Sequence, residues 1–95
     1  MDSNPLYKIK FSLVVEEIDA TYLKIGRITK DDVLSFLPTV GMIIIILDDE
    51  VIYSKVYEIV YYMETQLIIV HLEQLSLTNN KYTHLIENGW LESDF

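Results

Sequence analysis

Between residues 7 and 16 the chain alternates: Tyr7, Ile9, Phe11, Leu13 and Val15 stand between Lys8, Lys10, Ser12, Val14 and Glu16. A period of two places successive side chains on opposite faces, so this stretch predicts a strand with one face in a core. Residues 16–19 break the pattern as a turn. Thr21, Leu23 and Ile25 resume it around Tyr22 and Lys24, predicting a second strand antiparallel to the first. The style then changes. In "ITKDDVLSFLPTVG", Thr29 suits an N-cap, and Asp31 and Asp32 fall where a first helical turn favours anions. Val33, Leu34, Phe36 and Leu37 supply an apolar side, and Pro38 stops the element, so a short helix is expected near 30–36.

After a turn through 38–41 comes "MIIIIL", six apolar residues rich in isoleucine. A spanning helix needs about 20 such residues, so this stretch reads as a central strand buried on both faces. Residues 48–50 form an acidic hairpin turn. The following "EVIYSKVYEIVYYM" admits two readings. Glu50, Ser54 and Glu58 recur every four residues like a helix face, but the β-branched residues and tyrosines favour a strand. The strand is preferred, with a bulge near Ser54 and Lys55 where alternation lapses. A turn at 63–66 leads to the strand "LIIVHL" at 67–72. A short C-terminal helix is expected near 80–88, capped by Asn79 or Asn80 and ended at Asn88–Gly89. With Gly89 left-handed, Trp90 folds back toward Leu85.

The sum is one mainly β (β-rich α+β) domain over 1–95, with five strands and two short helices. "LPTVG", the apolar strand, the acidic turn and "VIYSKVYEIVYY" together resemble the small SH3-like barrels over about half of the chain. The resemblance implies a partly open five-stranded barrel. A bent antiparallel sheet is the alternative. Fold alone carries no function.

Composition narrows the rest. The chain has no cysteine, which excludes a disulfide frame, a thiol nucleophile and a cysteine zinc site, and agrees with a cytoplasmic location. The opening "MDSNPLYKIKFSL" lacks a basic region followed by an apolar one, so no signal peptide is expected. Net charge is −8 and uneven: six acids and five bases lie in 1–47, nine acids and two bases in 48–95. Such a chain repels nucleic-acid phosphates and anionic membranes and attracts basic proteins.

Catalytic signals are lacking. His71 and His84 stand alone, and Gly26, Gly41 and Gly89 are scattered singly, which excludes the recognisable phosphate-cradling loops. Neither a cofactor nor a metal nor an enzymatic activity is expected. The densest acidic cluster, Asp48, Asp49 and Glu50, lacks the spacing of a calcium loop. The distinctive feature is tyrosine: Tyr53, Tyr57, Tyr61 and Tyr62 crowd one segment, with Tyr53, Tyr57 and Tyr61 expected on one strand face beside Ile59. An exposed tyrosine stripe beside acids suits a protein interface. In the alternative, the rings cover the core and only their hydroxyls reach water.

The leading expectation is a small non-enzymatic protein-binding domain. Its contact residues would be Asp48, Asp49, Glu50, Tyr53, Tyr57, Glu58, Tyr61 and Glu64. It could act as an inhibitor of the phage or immunity-protein type, occluding a basic surface of a nucleic-acid-binding enzyme. The alternative is a structural or oligomeric assembly subunit, a phage particle included, packing through an edge strand or the tyrosine face. A small-ligand-binding barrel is the third reading.

Overall fold

The computed structural model describes residues 6–93. It contains β1 (Tyr7–Glu17), β2 (Ile25–Leu34), β3 (Ile43–Leu47), β4 (Ile52–Tyr62), β5 (Leu67–Leu77), α1 (Asn79–Glu87) and β6 (Leu91–Ser93). The strands form one mixed six-stranded sheet in the order β3-β4-β5-β1-β2-β6. The sheet is open and does not close into a barrel, and it has six strands where five were expected.

β1 is central because its alternation is complete. Ile9, Phe11, Leu13 and Val15 are all buried, and both edges are paired, antiparallel to β2 and parallel to β5. Parallel neighbours need a long crossover, and here the whole β2–β4 excursion provides it. The core face of the sheet joins these residues to Ile28, Val56, Val70 and Leu72. Leu85 of α1 and Trp90 cover one part of it, while Leu47 and Ile52 close another.

Three expectations are corrected in the first half of the chain. Residues 30–36 are not a helix. β2 runs through Leu34 in an unbroken ladder, with Tyr7 opposite Leu34 and Glu16 opposite Ile25. The long edge of β1 needs a partner for its backbone groups, and that requirement outweighs the local helix-start chemistry of Asp31 and Asp32. Asp31 instead faces Lys10 across the ladder, with their charged atoms 3.2 Å apart. The second strand therefore lies at 25–34 and not at 21–25, antiparallel to β1 as expected.

The isoleucine strand is also corrected. β3 lies at the edge of the sheet, not at its centre. Ile43 and Ile45 are exposed, Ile44 and Ile46 are half-buried against the core, and only Leu47 is fully buried. β3 is entered through a bulge. Gly41, at φ +95, donates its N–H to Val56 O (2.8 Å), and Val56 donates back to Met42 O (2.9 Å). This arrangement needs a left-handed first residue, which glycine adopts without a Cβ clash.

β4 is a strand, as preferred, but its bulge falls at Tyr57, where the register with β5 slips between Val56 and Glu58. Both hairpins around it, at 48–51 and 63–66, are four-residue connections closing on a left-handed residue, Val51 (φ 51) and Gln66 (φ 56). The C-terminal helix is present at Asn79–Glu87, one residue earlier than the expected 80–88, and neither Asn79 nor Asn80 caps it. Thr78 is the N-cap, its hydroxyl accepting from Lys81 N. Gly89 is left-handed at φ +100, and Trp90 N–H reaches back to Leu85 O (3.2 Å) beside Gly89 N–H to Ile86 O (3.3 Å). That paired stop buries Trp90 next to Leu85, as the sequence implied.

Candidate functional site

The bulge at Tyr57 decides what the tyrosines share. Before it, Ile52, Ser54 and Val56 face the core while Tyr53 and Lys55 face outward. After it the parity flips. Ile59 lies opposite Val70 and Tyr61 opposite Ile68, both on the core side, while Glu58, Val60 and Tyr62 join the outer face. Tyr53 and Tyr57 therefore share a face with Tyr62, and Tyr61 is on the other side. The expected grouping of Tyr53, Tyr57 and Tyr61 with Ile59 does not form. Tyr53 and Tyr57 are about half exposed, at 55% and 50%.

The outer face is only partly polar. Ile43 and Ile45 of β3 lie opposite Lys55 and Tyr53, so they continue the Tyr53–Tyr57 surface to the sheet edge. Ile43 is 47% and Ile45 54% exposed, and neighbouring Val51 is exposed as well. This apolar rim is the feature that the sequence reading missed. A uniform apolar run does not reveal whether a strand is central or at an edge; only the pairing partners decide that.

At the middle of the same face lies a second group that sequence spacing could not find. Ser12, Arg27, Glu58 and His71 come from four different strands. Arg27 donates to the Ser12 hydroxyl, and its Nη1 lies 3.5 Å from His71 Nδ1. His71 Nε2 lies 3.9 Å from Glu58 Oε1, and the Tyr57 ring packs on the imidazole at 6.0 Å between centroids. Both ring nitrogens of His71 thus have partners, and Ser12 is buried beneath Arg27. The cluster thus joins four strands at the sheet centre, with a hydrogen bond from Arg27 to Ser12 and the Glu58 carboxylate and Tyr57 ring beside His71.

The remaining expected residues lie towards the two ends of β4. Asp48, Asp49 and Glu50 form the β3–β4 turn, but they do not all point to solvent unengaged. His84 of α1 lies 3.1 Å from Glu50 Oε1 and 3.6 Å from Asp49 Oδ2, tying the turn to the helix. Glu64 sits exposed in the β4–β5 turn, at the opposite end of β4. The structure therefore brings together Tyr53, Tyr57 and Glu58, keeps the acidic turn near one end of that surface, and separates Tyr61 and Glu64 from it. Tyr61 lines an open groove of about 820 Å³ with Ile59, Ile68, Leu37 and Pro38.

Among the described residues no group of His, Cys, Asp and Glu is placed to hold a metal ion, and no helix is long and apolar enough to cross a membrane. No protein-family model, no curated protein and no solved structure matches the chain.

Proposed function

We propose that the protein is a non-enzymatic protein-binding domain whose contact surface is the β3–β4 side of its sheet. The observation that carries this reading is the exposed group of Ile43, Ile45 and Tyr53 on one face, with Tyr57 beyond Lys55 on the same face. Scattered exposed apolar residues are ordinary, but a group on one face that includes two tyrosines has the composition of an interface. The contact of the Tyr57 ring with His71 supports the reading, since a ring already packed on one side loses less freedom on binding.

A narrower version adds the charge. Seven of the eight net negative charges fall in residues 48–95, and the acidic turn lies at one end of the rim. A basic protein surface, such as the groove of a nucleic-acid-binding enzyme, would be steered to it, and the domain would then act as an inhibitor. The test is affinity capture from the native source at low and high salt, comparing the wild-type chain with Tyr53→Ala/Tyr57→Ala. A specific basic partner, released by salt and lost with the tyrosine pair, supports both versions. A partner held equally by the tyrosine variant places the contact elsewhere and sinks the proposal.

A further inference from the structure

The two edges of the sheet are treated differently. On the β2 side, β6 covers only Arg27–Thr29, and the rest of that edge carries Lys30, Asp31 and Asp32. Charges on an edge discourage strand addition. On the other side, residues 42–47 of β3 carry no charge and no proline. The alternation of the ladder also fixes which backbone groups are left over. The Met42 carbonyl bonds to Val56, so Met42 and Ile44 turn toward β4 and the N–H and C=O of Ile43 and Ile45 turn outward.

We infer that a second copy of this chain pairs with the β3 edge, antiparallel and about a two-fold axis through Ile44, so that two sheets become one. This rests on the reading of the β3–β4 side as a contact surface and names its first occupant. Self-complementarity is the argument. A two-fold axis normal to the sheet keeps equal faces together, so Ile43 of one copy meets Ile45 of its partner and Ile44 meets its own copy, and the regular ladder ends before Ile46, where the register with β4 shifts. Every position from 43 to 45 then faces an isoleucine. On the outer face the row runs Tyr53, Ile45, then the partner's Ile43, with four isoleucines shielded at the centre. The charges also fit. Residues 43–45 carry no charge, and Asp48 and Asp49 lie in the β3–β4 turn beyond the new ladder, so no like charges meet within it.

The test is light scattering of the full chain from micromolar to millimolar concentration, with two variants. Wild type gives twice the chain mass of 11.1 kDa at high concentration, unchanged or strengthened by added salt, because salt screens the repulsion between acidic copies. Ile45→Lys gives one chain mass, whereas Val33→Lys, equally exposed on the far edge, stays dimeric. A second readout avoids any folding defect of the variant. In wild type the Ile43 and Ile45 amides exchange slowly at high concentration and quickly on dilution. A monomer throughout overturns the inference, as does a dimer whose Ile43 and Ile45 amides exchange freely. If that monomer still captures a partner through Tyr53 and Tyr57, the proposed function stands without the dimer. If it captures none, both fail.

Discussion

Val51 is a β-branched residue held left-handed at the close of the acidic turn, exposed and with little packing to lose. For an L residue this conformation costs about 1–2 kcal/mol, and asparagine tolerates it better than valine. Val51→Asn should therefore raise stability by about 1 kcal/mol, seen as a thermal midpoint some 4–8 °C higher for a domain of this size. No rise would mean that the turn relaxes at no cost. Tyr82 gives a pH prediction. Its hydroxyl donates to Glu92 Oε1 at 2.7 Å. Burial first, then the bond and charge of Glu92, push its pKa well above the ordinary tyrosine range. A raised phenol favours the folded state while neutral, so its contribution is whole below about pH 10 and is lost as pH rises beyond it. Unfolding free energy should fall on the alkaline side more steeply in wild type than in Tyr82→Phe, measured by denaturant titration from pH 8 to 11. Equal slopes would show that Tyr82 is not coupled to folding.

Among the elements, β1 was fully legible because one face is buried and one is not, and the C-terminal stop was legible because Gly89 and Trp90 encode a specific local geometry. β2 and β3 were not, for different reasons. In β2 the signals of Asp31 and Asp32 are real local preferences, overruled by a ladder to residues some twenty positions away. In β3 the six apolar residues record that the strand is greasy, but a half-buried edge and a buried centre have the same composition. Of the proposed contact surface, the shared face of Tyr53 and Tyr57 was readable from the sequence; the exclusion of Tyr61 depends on one extra residue at the bulge, which shifts every later side chain to the other face. The edge placement makes a contrast testable. Ile44→Asp buries a carboxylate against the core and should destabilise by roughly 1–3 kcal/mol more than Ile45→Asp, which points to solvent in the monomer. Denaturant midpoints of the two variants, measured at low protein concentration, check this. Equal losses would place both residues in the core and remove the exposed rim.

For the whole molecule the decisive property is where charge lies relative to apolar surface. In the proposed function the rim of Ile43, Ile45, Tyr53 and Tyr57 would supply contact area, while Asp48, Asp49 and Glu50 at its end would supply field. Asp49 and Glu50 also contact His84, so neutralising them touches α1 as well as any partner. The pairs to His84 are partly exposed, and exposed ion pairs contribute about 0–1 kcal/mol, so the fold should survive their loss. Their effect on encounter should be larger. With a basic partner in hand, Asp48→Asn/Asp49→Asn/Glu50→Gln should slow association several-fold at low salt, and the difference should shrink as ionic strength rises past about 0.15 M, where charges beyond about 8 Å are screened. Dissociation should change little, because that rate is set by the apolar rim and the tyrosines. Stopped-flow association at two salt concentrations, with circular dichroism on the same samples, separates these effects. An unchanged association rate at low salt would remove the acidic turn from recognition and leave the rim to act alone.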